Sequence, residues 1–264
     1  MRTLIAIACI GFLSAGVSAH AATVLITGSD RGLGLEFARQ YAERRDSVIA
    51  TCRHPEKAVE LKALASTHKD VVVEQLDVSD DAQIKALAAK YKGRPIDILI
   101  NNAGVLGTQT DQTLGTLSRQ SFHEVMDVNA FGALAVSEAL RANVVSSTQK
   151  KIIAITSGAG SISVAGGMPQ GPYYYRMSKA AMDMGMRALG ADLKSQQVVV
   201  ALVAPGAVDT DMQTEFRSAY MLTRKYPIET PTQAVSKMIA VIDKVDQAKA
   251  EQGINLHDGT IMPW

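Results

Sequence analysis

The chain predicts an α/β fold: a doubly wound parallel sheet of Rossmann type, about seven strands with helices on both faces, in a single domain. Two patterns and one bound predict it. Short apolar, β-branched runs alternate with helical patterns along most of the chain. The first such run leads straight into a glycine-rich turn and a helix start. The length of 264 residues, 47% hydrophobic and 20% charged, suits one large α/β unit with a substantial core.

The first residues stand apart from this pattern. Arg2 is followed by an apolar stretch over 3–13 and then by small residues ending in an Ala19-x-Ala21 step. One positive charge, an apolar run and that step describe a secretory signal peptide over 1–21, which leaves 22–264 as the folded domain. The stretch is short and glycine-containing, so no stable membrane span is expected. Cleavage would make the protein exported or periplasmic; a cytoplasmic one is the alternative. Of the two cysteines, Cys9 and Cys52, only Cys52 would survive cleavage, so no internal disulfide could form.

Thr23-Val-Leu-Ile reads as the first strand, and Thr27-Gly-Ser-Asp-Arg-Gly-Leu-Gly follows at once, before an amphipathic helix from Leu35. A strand, a glycine turn and a helix start form a phosphate cradle. Gly28 allows the tight turn, Gly32 lets backbone approach a pyrophosphate, and Gly34 lets the helix pack close to the sheet. The helix N-terminus adds free N–H groups and a positive dipole end. Thr27, Asp30, Arg31 and Leu33 complete the turn. The spacing is G-x-x-x-G-x-G rather than G-x-G-x-x-G.

Further strands are expected at 47–52, 71–76, 96–100, 152–156 and 198–203. Helical patterns lie near 32–45, 55–67, 80–91, 121–143 and 176–195. Pro55 marks one helix start, and Ser121-x-x-Glu124 reads as a capping box opening another. A helix near 231–248 and a short strand at 259–262 close the sheet. Strands that alternate with helices make right-handed crossovers, and a parallel sheet covered on both faces binds ligands at the C-terminal ends of its strands.

Several classes of function are disfavoured. The formal net charge is +1 and no basic block occurs, so no nucleic-acid partner is expected. The five histidines are scattered and the cysteines lack ligand spacing, so no metal is expected.

Tyr175 is the only one of seven tyrosines with a lysine four places on. Helical rise puts Tyr175 and Lys179 on one face, one turn apart. A tyrosine that trades protons near neutrality needs its pKa moved from about 10 to roughly 7, about 4 kcal/mol of preference for the phenolate. A fixed ammonium beside it is one device that supplies this.

Four elements occur in order: Thr27-Gly-x-x-x-Gly-x-Gly, Asn101-Asn-Ala-Gly, a serine at the end of the fifth strand, and Tyr175-x-x-x-Lys179. With Asp77 after the third strand and Pro205-Gly206 after the sixth, the set resembles the short-chain dehydrogenase/reductase family from about residue 23 to the C-terminus. The Tyr-Arg-Met-Ser-Lys core and the Asp258-Gly-Thr-Ile-Met-Pro-Trp ending are similar to the branch that contains C-factor and the sniffer-type carbonyl reductases. The resemblance implies that Tyr175 is general acid or base at a carbonyl or alcohol oxygen. It implies that Lys179 depresses its pKa and holds a nicotinamide ribose, and that a serine donates to the same oxygen. Asn129 would hold a water linking Lys179 to solvent. It further implies cofactor contacts from Asp77 and Val78 at the adenine, from Asn102, Ala103 and Gly104, and from Pro205, Gly206, Val208 and Thr210. For the serine, the strand end selects Ser157, with Ser161 as the alternative; the usual spacing of about a dozen residues would fall near Ile162.

Charge reads the cofactor. An acidic residue at the end of the second strand suits the NAD ribose diol, but this strand ends Thr51-Cys52-Arg53, with Arg31 in the turn. Two guanidinium groups suit a 2′-phosphate, so NADP(H) is expected, with NAD(H) as the alternative. Val164, Met168, Met212, Phe216 and Met221 are candidate pocket residues, an apolar set that suits a neutral ketone or aldehyde; Arg217, Arg224 and Lys225 leave an anionic substrate open. A homo-dimer or homo-tetramer follows from the resemblance. The competing readings are a dinucleotide-binding signalling protein with little turnover, and an extended-type epimerase or dehydratase, for which too few residues follow Pro205.

Overall fold

In the computed structural model, residues 21–164, 172–219 and 227–264 are described. The 1–21 leader reading therefore lies, but for Ala21, outside the described residues, as do Met168, Met221, Arg224 and Lys225.

One eight-stranded sheet organises the chain, one strand more than the sequence predicts. The strands are β1 (Thr23–Ile26), β2 (Ser47–Cys52), β3 (Val71–Gln75), β4 (Ile98–Asn101), β5 (Lys151–Ile155), β6 (Val199–Ala204), β7 (Ile254–Leu256) and β8 (Ile261–Met262). Their order in space is β3-β2-β1-β4-β5-β6-β7-β8. All neighbours are parallel except β7 and β8, which pair antiparallel through Ile254↔Met262 and Asn255↔Ile261. Strand order reverses between β1 and β4, so a crevice opens there at the strands' C-terminal ends.

The apolar runs alternate between the two faces of the sheet. Val24 and Ile26 of β1, Ile98 and Ile100 of β4, and Ala201 and Val203 of β6 enter one core. That core is closed by α1 (Gly32–Glu43), α2 (Val59–Thr67) and α9 (Pro231–Lys244), through Phe37, Tyr41, Leu61, Met238 and Ile242. Leu25, Leu99, Ile152 and Leu202 enter the other, against α3 (Asp81–Lys90), α5 (Gly132–Ala139) and α7 (Tyr173–Leu193). Burial on both faces is why these strands read as unbroken apolar runs.

Several boundaries depart from expectation for local reasons. The pattern over 121–143 is three pieces, α4 (Arg119–Met126), α5 and α6 (Arg141–Val145), with a π turn at Asp127–Phe131 between the first two. The α4 cap is Ser118, whose hydroxyl accepts from Ser121 N at 3.3 Å; Ser121 lies inside the helix and donates to Asp111 Oδ2 at 2.6 Å. Residues 55–58 turn before α2 begins. Helix α9 stops at Lys244, ahead of a short α10 (Gln247–Ala250), and its capping box is Thr230 with Gln233. Strand β7 was not expected: it has three residues with a polar one in the middle. Asn255 is buried there and donates to Leu202 O at 3.2 Å.

Candidate active site

The β1–β4 crevice holds the glycine turn and the Asn101-Asn-Ala-Gly segment side by side. Gly28 has φ 67°, and a Cβ on it would stand 2.8 Å from Ala103 Cα. A Cβ on Gly34 would come within 2.0 Å of Gly28 O, so helix α1 can start this close to the turn only with glycine there. Thr27 Oγ1 accepts from Asn102 N and Ala103 N, both at 3.0 Å. Asn102 Nδ2 donates to Thr27 O at 2.9 Å and Gly28 O at 3.0 Å. Two segments 75 residues apart in the chain are thereby locked as one rigid wall.

At the α1 N-terminus no side chain caps the helix, and no acidic residue sits in its first turn. Backbone N–H groups in that first turn therefore face the crevice unclaimed by a side chain, which suits an anion. Arg31, Arg53 and Asp30 are exposed around it, and neither guanidinium makes an ion pair among the described residues. Leu33 is half-buried and packs against the first core. Across the crevice, Thr210 comes close: a Cβ on Gly32 would lie 3.9 Å from its Cγ2. The segment carrying Pro205, Gly206 and Val208 is pinned where Val208 bridges Glu229 and Asp209 N donates to Glu229 O at 2.8 Å. Asp77 is half-buried, with one carboxylate oxygen taken by Ser79 N and Ser79 Oγ; Val78 is buried beside Gly132. An uncapped helix start, a cradle a Cβ would fill and two free guanidinium groups fit a phosphorylated dinucleotide.

Helix α7 carries the candidate tyrosine and lysine. Tyr175, Ser178, Lys179 and Asp183 share its buried face. Ser157, two residues past β5, accepts from Ala159 N at 3.2 Å and lies near enough to the Tyr175 phenol to counter the upward push of burial on it. The β5 loop approaches α7 so closely that a Cβ on Gly160 would sit 2.9 Å from Lys179 Cβ. Lys179 Nζ donates to Ile155 O at 2.8 Å and lies 5.9 Å from the Tyr175 ring centre. Asn129, fully buried in the π turn, donates to Val105 O at 2.8 Å and Ser178 Oγ at 2.9 Å, and accepts from Val105 N at 2.7 Å. A π turn swings one residue out of helical register and is often found at functional sites. Here it aims Asn129 at Gly104, whose Cβ position is 3.4 Å from Asn129 Oδ1 and 3.7 Å from Lys179 Nζ.

Burial rules the electrostatics. It pushes the Tyr175 phenol above its usual range, opposed by the Ser157 hydrogen bond and reinforced by the negative Asp183. Burial pulls Lys179 down to about 8, with Asp183 opposing, and lifts Asp183 to about 6, with the Thr156 hydroxyl and Lys179 opposing. Thr156 Oγ1 donates to Asp183 Oδ1 at 2.6 Å. The lowering of Tyr175 by Lys179 that the resemblance implies is not among the influences on the phenol, which are burial, Ser157 and Asp183. The ammonium is engaged by the Ile155 carbonyl and is itself partly discharged by burial.

Ser161 is held differently. It is buried, and its hydroxyl donates to Pro263 O at 2.7 Å, tying the β5 loop to the C-terminal tail. Met212 and Phe216, on α8 (Asp211–Ala219), pack with Leu106 and Ala159 over Tyr175; the Phe216 and Tyr175 rings meet edge to face at 6.3 Å. Val164 is half-buried and Arg217 exposed. Asp183 was not singled out from the sequence, where it reads as an ordinary helix acid; its distance of four residues from Lys179 was the available signal.

Residues 22–221 match the family described as short chain dehydrogenase. A carbonyl reductase from chicken fatty liver, solved with NADPH bound, superposes with a TM-score of 0.82 at 30% identity, over 92% of this chain and 99% of its own. The carbonyl reductase Sniffer of D. melanogaster gives 0.79 at 25% identity, over 93% and 100%. A 1-hydroxy-2-glutathionyl-2-methyl-3-butene dehydrogenase of Rhodococcus sp. (strain AD45) is 30% identical over 246 residues, 92% of this chain and 99% of the relative.

Proposed function

This chain belongs to the short-chain dehydrogenase family, and from that premise we propose that it is an NADP(H)-dependent carbonyl reductase acting on a neutral, apolar ketone or aldehyde, with Tyr175 as general acid and base. One arrangement carries the reading: the Ser157 hydroxyl lies within reach of the Tyr175 phenol, which packs against an apolar cluster of Leu106, Ala159, Met212 and Phe216. A carbonyl oxygen placed between two hydroxyl donors is polarised as charge builds on it, and water is excluded by the apolar wall.

Bound NADP(H) would supply the hydride. Thr27, Gly28, Asp30, Arg31, Gly32, Leu33 and Gly34 would cradle it at the α1 start, with Asp77, Val78, Asn102, Ala103 and Gly104 along the crevice. Pro205, Gly206, Val208 and Thr210 would close the far side, and Arg31 and Arg53 would take the 2′-phosphate. Lys179 would hold the ribose, an alternative partner to the Ile155 carbonyl. Ser157 would donate to the substrate oxygen. Tyr175 keeps its proton at neutral pH because burial opposes the phenolate, which suits a donor to a developing alkoxide. Asn129 would hold the water that returns the proton by way of Lys179. Export through a cleaved 1–21 leader and assembly as a homo-dimer or homo-tetramer belong to the same proposal; N-terminal sequencing of the secreted protein and light scattering read them.

The test is titration of purified 22–264 with NADPH and NADH by cofactor fluorescence, followed by a carbonyl panel with Tyr175→Phe as control. Tight NADPH binding with Tyr175-dependent turnover supports the reading. Binding with no turnover on any carbonyl would favour a dinucleotide-binding signalling role, and binding of neither cofactor would sink both.

A further inference from the structure

Helix α7 begins in an unusual way for the element that carries the reactive tyrosine. Its N-cap residue is Pro172, which offers no side-chain acceptor, and no acidic residue lies in the first turn. Yet the N–H groups of Tyr174 and Tyr175 are not left bare. Both donate to Gln112 Oε1, at 3.1 and 3.3 Å, from a residue more than sixty positions earlier. Gln112 is fully buried, at the end of a 3-10 turn spanning Gln109–Gln112. Its amide nitrogen donates to Leu106 O at 2.9 Å and Thr108 O at 3.4 Å. Two donors and two acceptor contacts use all four hydrogen-bonding positions of the side chain, and a flipped amide would set donors against donors and an acceptor against acceptors. The orientation is therefore fixed by its surroundings.

The two segments that Gln112 joins are walls of the same pocket. Leu106 packs against Tyr175, and the neighbouring Val105 is the residue Asn129 grips by both N–H and C=O. Gly107, with φ 79°, makes the bend between them; a Cβ there would stand 3.1 Å from Gln112 Nε2 and 2.5 Å from Val125.

We propose that Gln112 is a positioning residue for the reaction: a remote N-cap of α7 that fixes the Tyr175 phenol against Ser157 and sets its spacing from the Leu106 wall. The role rests on the oxidoreductase reading, because it acts through Tyr175. A structural cap alone would alter stability; a positioning cap alters how Tyr175 transfers its proton.

Two variants separate these. Gln112→Met keeps the length and loses every hydrogen bond. Gln112→Glu keeps the acceptors for Tyr174 and Tyr175 but cannot donate to Leu106, and it adds negative charge at the first turn of α7. Gln112→Met should lower kcat about ten- to a hundredfold, the cost of a misplaced reacting group. Its NADPH affinity should stay unchanged. Gln112→Glu should hold the helix start and move the kinetic pKa of Tyr175 upward, since a carboxylate disfavours the phenolate. Amide hydrogen exchange at Tyr174 and Tyr175 should speed up in Gln112→Met and remain slow in Gln112→Glu. Unchanged exchange in Gln112→Met would remove the cap. Fast exchange with unchanged kcat and pH profile would leave a cap without a positioning role, and overturn the proposal.

If wild type turns over no carbonyl, the functional reading has failed rather than this one. The readout is then the phenolate absorbance titration, wild type minus Tyr175→Phe: a Tyr175 titration that Gln112→Met leaves in place refutes the coupling, and one that it displaces supports it.

Discussion

Lys179 and Asp183 stand one turn apart on the buried face of α7, and burial drives each toward its neutral form despite the attraction between them. Asp183 is held to its place by Thr156, the residue that follows the strand whose last residue, Ile155, offers Lys179 its carbonyl acceptor. The pair is thus a costly element kept beside Tyr175, as functional sites often are.

That cost should show in the pH dependence of stability. Asp183 is raised from 3.8 to about 6, so the folded chain holds an extra proton between those values and loses stability as pH climbs through them. Lys179 is lowered from 10.5 to about 8, so the folded chain holds fewer protons between 8 and 10.5 and gains stability as pH climbs through that window. Each step is on the order of 3 kcal/mol at most. Urea unfolding of wild type and of the Lys179→Met, Asp183→Asn double variant checks it: the two curves should diverge around neutral pH, with the variant more stable there. Parallel curves from pH 4 to pH 10 would refute the assignment.

Ser157 and Ser161 should separate cleanly. Ser157→Ala removes the hydroxyl that meets Tyr175 and should cost turnover about a hundredfold or more, in the range of one lost oxyanion donor. Ser161→Ala removes only the tie to Pro263 and should cost about 1 kcal/mol of stability with kcat near that of wild type. Steady-state kinetics beside thermal unfolding reads both. The reverse ranking in kcat would transfer the role to Ser161.

Arg31→Ala and Arg53→Ala should each weaken NADPH binding about tenfold or more while leaving NADH nearly unchanged, because a charge-assisted contact to phosphate contributes about 1.5–3 kcal/mol. Cofactor fluorescence titration measures it. Equal losses for both cofactors would mean that the arginines do not read the 2′-phosphate.

Gly34→Ala places a methyl 2.0 Å from Gly28 O and 2.5 Å from Asn102 Nδ2, against backbone and a bonded amide that cannot retreat. Cofactor binding should fall below detection, with a loss of thermal stability. Gly93→Ala, where φ is 74° and nothing lies within 4 Å, carries backbone strain without a clash and should leave cofactor binding intact. Equal behaviour of the two variants would count against the cradle.

Much of the fold was readable along the chain because its signals are local. Period-two burial of Val24, Leu25 and Ile26 needs only neighbouring residues, and the four-residue step from Tyr175 to Lys179 is a property of one helix. The glycines of the first turn announce themselves because φ 67° and φ 55° suit few other residues. The π turn was not readable, since 127–131 has ordinary helical composition and departs from helix only where Asn129 is gripped by Val105.

What the sequence by itself determined is therefore the α/β class, the cradle at the first turn, and the pairing of Tyr175 with Lys179, all set by backbone periodicity over a few residues. Tertiary structure alone decided that Ser161 is tied to Pro263, that Asp183 faces Lys179 without solvent, that β7 extends the sheet, and that Gln112 caps α7 from sixty residues away. The reason is physical. Desolvation and long-range hydrogen bonds exist only after loop closure brings distant segments together, and a side chain's partner across the sheet leaves no periodic trace in its own neighbourhood.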